Sequence, residues 1–162
     1  MNENVECLII YRYSNIIPSK EENRIILNEI ESLSQYYPNI GKWFIRKVVP
    51  NIGRDREILL VKNKENITIG FAILKFRKKW LKISTFKIGD KYQHEGVGYE
   101  LLNYILKEFD YKDGCYITFK DMCKFGFCKL FNKILNDNNG FKHMDFSKMK
   151  DSEDTYKLTL TK

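Results

Sequence analysis

Apolar residues recur along the chain with two periods, and the switches between them divide it into elements. Residues 5–13 (VECLIIYRY) are rich in β-branched and aromatic side chains and predict a first strand, which Pro18 ends. Ser19 followed by Glu22 is a capping box, in which each side chain satisfies an N–H that the first helical turn leaves unpaired. The helix it predicts places Ile26, Ile30 and Leu33 on one face, widened by Ile25 and Leu27. Tyr36, Tyr37 and Pro38 predict a turn. Ile40, Trp43, Phe44 and Val48 then recur at helical spacing and predict a second short helix, closed by Pro50. Residues 56–61, 68–76 and 81–88 predict three strands joined by short polar turns, an antiparallel meander.

Within the last of these strands the pattern slips. Leu81 and Ile83 share one parity, but the next apolar positions are Phe86 and Ile88, so the phase changes near Thr85. A β-bulge produces such a slip. Gly96 and Gly98 follow, where a helix begins that carries Leu101, Leu102, Ile105, Leu106 and Phe109 on one side. Without Cβ atoms at these two positions the first-turn N–H groups are uncovered and can approach an anion, as in a diphosphate cradle. Asp113 and Gly114 turn the chain into a strand over 115–119. Asp121 is placed to cap a helix with Phe127, Leu130, Phe131, Ile134 and Leu135 as its apolar side, stopped by Asn138, Asn139 and Gly140. Phe141 opens another short strand, and residues 155–161 (TYKLTLT) alternate as the last one.

At 162 residues the chain is long enough for one domain with a sizeable core and short for two, so residues 1–162 are read as a single domain. Lys and Arg outnumber Asp and Glu by 28 to 21, which favours an anionic partner such as a phosphorylated ligand, nucleic acid or an acidic surface. The densest basic cluster, Arg77, Lys78 and Lys79, falls at a predicted hairpin turn; a solvated tip is the first reading and a nucleic-acid contact the second. Cys7, Cys115, Cys123 and Cys128 form no CxxC pair, which points to a reduced, cytoplasmic protein without disulfides. With His94 and His143 as the only histidines, no metal site is expected. The N-terminal sequence reads as neither a signal peptide nor a membrane span, so no membrane partner is expected.

Gln93, Gly96 and Gly98, with Ile88 upstream, fit a Gln/Arg-x-x-Gly-x-Gly/Ala signature. The segment resembles the acetyl-CoA loop of the GNAT superfamily of N-acyltransferases. The predicted order β-α-α-β-β-β-α-β-α-β-β is similar to that family's over nearly the whole chain. The resemblance implies an α+β fold with a central, mostly antiparallel sheet, a bulged and splayed fourth strand, and flanking helices. It implies acetyl-CoA as co-substrate. The pantetheine arm would lie against the backbone of Phe86, Lys87 and Ile88, with Phe86 or Phe131 in reach of it. The diphosphate would rest on the amides of His94, Glu95, Gly96, Val97, Gly98 and Tyr99, and Gln93 would shape that loop.

The activity implied is N-acetyl transfer to a primary amine, by direct attack in a ternary complex. Transfer needs a neutral amine, a stabilised oxyanion and a departing thiol. An N–H at the bulge would serve the oxyanion. No base is evident: strand four holds no glutamate, although many relatives carry one there, and Glu57 on a neighbouring strand is the nearest candidate. Many members also carry a tyrosine on the last helix where this chain has Phe131. Tyr92, Tyr99, Tyr104 and Tyr116 are substitutes that no motif places, so the catalytic residues are left unassigned. No cysteine lies in a Cys/His arrangement, which disfavours a covalent enzyme intermediate. The acceptor is open among a small molecule, a protein amine and an aminoacyl-tRNA. The alternative is a catalytically silent relative that binds CoA or nucleic acid (tRNA), and residues 155–161 offer a strand for pairing or swapping in a homodimer.

Overall fold

The computed structural model describes residues 8–14, 19–137 and 140–162. Positions 5–7 of the predicted first strand, with Cys7, lie outside the described residues, as do Pro18, Asn138 and Asn139. The elements are β1 (Ile9–Tyr13), α1 (Lys20–Glu31), α2 (Ile40–Trp43), β2 (Arg56–Lys62), β3 (Thr68–Arg77), β4 (Trp80–Ile88), α3 (Val97–Glu108), β5 (Gly114–Lys120), α4 (Lys124–Asn136), β6 (His143–Lys148) and β7 (Thr155–Thr161). The seven strands form one sheet in the order β1-β2-β3-β4-β5-β7-β6. All neighbours are antiparallel except β4 and β5, which run parallel.

Local chemistry accounts for most boundaries. The capping box forms: Glu22 N–H donates to Ser19 Oγ at 3.2 Å, and Ser19 N–H to Glu22 Oε2 at 2.8 Å. Four expectations are corrected. The second helix keeps α geometry only over Ile40–Trp43; it widens to a π turn over Phe44–Val48 and tightens to a 3-10 turn over Val49–Asn51, with Pro50 inside it. Asp121 opens a 3-10 turn (Asp121–Cys123), and the residue at the α4 cap is Cys123. Phe141 precedes its strand; it is buried and stacks on Tyr111, with ring centroids 6.3 Å apart. Finally, β7 is paired on both flanks, to β5 and β6, so its edges are not open to a second copy.

The two faces of the sheet are covered unequally, and this positions the site. On one face α3 and α4 bury a continuous core, with Leu59, Leu74, Leu81, Ile83, Ile117 and Leu158 beneath them. On the other, α1 and the α2 segment cover Tyr13, Ile58, Leu60, Phe71 and Ile73, all from β1 to β3. Beyond β3 this second face is not roofed by those helices. There the alternation of side chains presents Lys82, Ser84, Tyr116 and Thr118, none of them fully buried.

Candidate functional site

The phase slip in β4 is a bulge. Ile73 pairs with Thr85 and Leu74 with Ile83, so Ser84 is the extra residue, and Phe86 and Ile88 return to the face of Leu81 and Ile83. The bulge coincides with a parting of strands. β4 pairs with β5 from Trp80 opposite Gly114 to Ile83 opposite Ile117, and the ladder ends there, although β4 continues to Ile88 and β5 to Lys120. A wedge opens between residues 84–88 and 118–120. Aromatic rings stand beside it: Phe86 meets Phe127 edge to face at 6.1 Å, and Phe127 meets Phe119 at 5.0 Å. A cavity of about 450 Å³ runs from these rings and Cys123, past Ser84 and Thr85, to Tyr36, Tyr37 and Trp43 on the α1 side.

The start of α3 lies beside the end of β4. A Cβ built on Gly98 would be 3.5 Å from Ile88 Cγ1 and 3.8 Å from Phe86 Cε1. Gly96 is the N-cap, in the left-handed region at φ 90, where a side chain is strained. Gly96 makes no side-chain cap hydrogen bond, and the first-turn amides and the positive end of the helix dipole lie at this turn. Gln93 holds the preceding loop closed: its amide Nε2 donates to Ile88 O and Asp90 Oδ1, both at 3.2 Å. The wedge where the β4–β5 ladder ends and the N-terminus of α3 are thus adjacent.

The sequence matches no protein-family model and no curated protein. Solved structures do match in shape. The ribosomal-protein-S18-alanine N-acetyltransferase of Escherichia coli aligns with a TM-score of 0.64 at 15% identity, over 94% of each chain. The PaiA N-acetyltransferase of Thermoplasma acidophilum, solved with coenzyme A, gives 0.62 at 15% identity over 95% of this chain and 99% of that one. A GNAT family acetyltransferase of Elizabethkingia anophelis with acetyl-CoA bound gives 0.55 at 19% identity, over 96% and 97%. The chain has the GNAT acetyltransferase fold. In this GNAT fold the bulged β4, the wedge and the α3 N-terminus occur together, as the sequence resemblance implied.

The structure brings together most of the residues singled out from the sequence, and sets apart Phe131, Glu57 and the side chain of Lys87. Gln93, His94, Glu95, Gly96, Val97, Gly98 and Tyr99 form the turn and first residues of α3, with His94 also left-handed at φ 66. Tyr99 donates its hydroxyl to Asp137, which ties α3 to the end of α4. Phe86 lines the cavity. Ile88 packs under Gly98, and its carbonyl receives Gln93. Lys87 turns its side chain away, to Ser32 and Glu29 of the α1 end, so only its backbone faces the wedge region. Phe131 is 1% exposed in the core; Phe127, one turn earlier on the same stripe, is the α4 ring at the cavity. Glu57 is bound to Arg12 at 3.1 Å and is not among the cavity residues.

What sequence reasoning missed is the charge of the cavity. Its lining includes Arg56, Lys75, Arg77 and Lys82 and no Asp or Glu. Arg77 therefore lines the rim of the site, although it is exposed like Lys78 and Lys79 at the tip of the hairpin. No motif could reveal this, because the four cations come from three strands and each looks like an ordinary strand or hairpin residue. Arg56 is 8% exposed, lies over the Trp43 ring at 5.5 Å, and donates to Ser84 Oγ at 3.3 Å. Burial, and then the charges of Arg77, Arg56, Lys75 and Lys157, hold the Lys82 ammonium below the usual lysine range. Burial also pushes the Tyr37 hydroxyl and the Cys123 thiol up, so both keep their protons near neutral pH. An incoming ammonium would meet the same positive field, which favours its neutral, nucleophilic form.

No helix among the described residues is long and apolar enough to cross a membrane. Among the same residues, no three or more His, Cys, Asp or Glu side chains are grouped to hold a metal ion.

Proposed function

We propose that the protein is an acetyl-CoA-dependent N-acetyltransferase that acylates a primary amine directly, without an acyl-enzyme. The observation that carries this is the parting of β4 from β5 at Ser84, beside an α3 N-terminus whose N-cap is the left-handed Gly96. Acetyl-CoA, when bound, supplies the acyl thioester. The edge of residues 84–88 would receive its pantetheine amides as an added strand, beside Phe86 and Phe127, and the amides from His94 to Tyr99 would receive its diphosphate. The Gly96 conformation supports that fit.

The amine reaches the wedge from the opposite face, through the cavity bounded by Tyr36, Tyr37 and Trp43. Its nitrogen would form the amide bond at the acetyl carbonyl carbon as the carbon–sulfur bond breaks, and the proton lost by nitrogen would end on the departing thiolate. A carboxylate base is absent from the lining, so the positive surround takes over the task of disfavouring the ammonium. Cys123 is the thiol in the cavity, and its raised pKa argues against a covalent intermediate on it.

The same missing carboxylate supports a second reading, a GNAT-fold module that binds CoA and transfers nothing. One experiment separates the two: acetyl-CoA binding by calorimetry, followed by thiol release from acetyl-CoA with an amine panel. Binding with amine-dependent release is expected. Binding without release would favour the silent module, and no binding would overturn both.

A further inference from the structure

The acceptor side of the cavity contains four cations, and Asp55 is the one acidic charge that acts on Arg56 and Lys75 there. Lys75 is partly matched by Asp55 at 3.4 Å, but Arg56, Arg77 and Lys82 form no ion pair among the described residues. Arg56 is the strongest case. A guanidinium has five donors, yet this one, more than nine-tenths buried, makes a single side-chain hydrogen bond, to Ser84. Burying a charge is costly unless partners compensate, and beside that bond Arg56 has the Trp43 ring and the Asp55 charge, which is shared with Lys75. An ammonium approaching this wall would be repelled, and an anionic group on the same molecule would offset that repulsion.

CoA itself does not account for these cations. The proposed diphosphate cradle adjoins Ile88, on the α3 side, whereas Lys82 begins the other end of β4 and points to the opposite face. Six residues of strand separate them, about 20 Å at the usual rise. From Lys82 to the bulge at Ser84, by contrast, is about 7 Å. An anion on the cations and an amine at the bulge would thus be only a few bonds apart, and a cavity of about 450 Å³ suits a small ligand.

We infer that the acceptor is a small amine bearing an anionic group, carboxylate or phosphate-like, a few bonds from its nitrogen, with that group seated on Arg56, Arg77 and Lys82. This rests on the transferase reading for the position of the amine. The anion subsite follows from the cavity alone. Aromatic walls of Tyr36, Tyr37 and Trp43 would cover the carbon chain.

The test is calorimetry on the full chain with four probes: 4-aminobutyrate, 3-aminopropylphosphonate, 4-aminobutyramide and butylamine. The two anionic amines are expected to bind at least about tenfold tighter than the two uncharged at that end. Arg77→Gln, at an exposed position, and Lys82→Gln, at a half-buried one, should each remove most of that preference while thermal unfolding stays cooperative. The ratio between carboxylate and phosphonate identifies which anion the subsite takes. Equal binding of all four, binding of none, or variants that keep the preference would overturn the assignment. So would displacement of both anionic probes by a short RNA at lower concentration, which would make the cations a nucleic-acid face. Thiol release is read separately. Selective binding without release would refute the transferase reading and leave the subsite; release with uncharged amines alone would do the reverse.

Discussion

The sharpest consequence of the cradle concerns its two glycines, which the structure makes unequal. Gly96 has φ 90, so any side chain there is strained, by about 1–2 kcal/mol. For a domain of this size, that lowers the melting temperature by a few degrees, at about 2–4 °C per kcal/mol, and leaves the protein folded. Gly96→Glu adds a carboxylate at the proposed diphosphate site. Two phosphate charges about 5 Å from it are opposed by about 2–7 kcal/mol in total, between solvent-like and surface-like dielectric, which is a loss of affinity from roughly twentyfold upward. Gly98 differs because its added Cβ would meet Ile88 and Phe86 at ordinary contact distances, 3.5 and 3.8 Å. Ala in the first turn also favours helix over Gly by about 0.5–1 kcal/mol. Gly98→Ala should therefore bind acetyl-CoA within about threefold of the unaltered protein and melt no lower. Calorimetry in low and moderate salt, paired with thermal unfolding, reads both effects, and Gly96→Ala separates strain from charge. Gly96→Glu binding as tightly as the unaltered chain would refute the cradle.

Other residues give further expectations. Lys82→Met should raise the melting temperature near neutral pH. The folded Lys82 pKa is depressed, so the unfolded chain binds more protons between the two pKa values, and stability rises with pH across that window. The advantage of the variant should shrink in the alkaline range; an unchanged gap there would count against burial of the charge. Phe131→Ala should cost about 3–5 kcal/mol in denaturant unfolding, as for a fully buried ring. Phe127→Ala should cost less and weaken acetyl-CoA binding more; the reverse order would misplace the cavity. Glu57→Gln breaks the Arg12 ion pair, which has one well-exposed partner, so a stability change within about 1 kcal/mol and an unaltered pH–rate profile are expected. A lost alkaline-to-neutral dependence would instead identify Glu57 as the base.

Much of the molecule is decided by residues a few positions apart, and that part is legible in the sequence. The Ser19–Glu22 box, the alternation of Thr155–Thr161, the apolar stripe of α3 and the slip between Ile83 and Phe86 all act through backbone geometry over one or two turns or a single strand. So does Gly96, whose left-handed conformation favours a residue without Cβ. These features were enough for the element order and for the glycine-bearing turn that opens α3. Tertiary structure decided the rest. Phe127 and Phe131 occupy the same helical stripe, and only the seat of α4 over the sheet determines which ring reaches the wedge and which is sealed in the core. The α2 segment has helical spacing, yet its packing on β1 to β3 gives it a π turn. Arg56, Arg77 and Lys82 are separated along the chain and indistinguishable from solvated strand residues. The meander brings them onto one face, and the short reach of α1 and α2 leaves that face open. A local pattern specifies local geometry, but the charge of a cavity depends on which distant strands become neighbours.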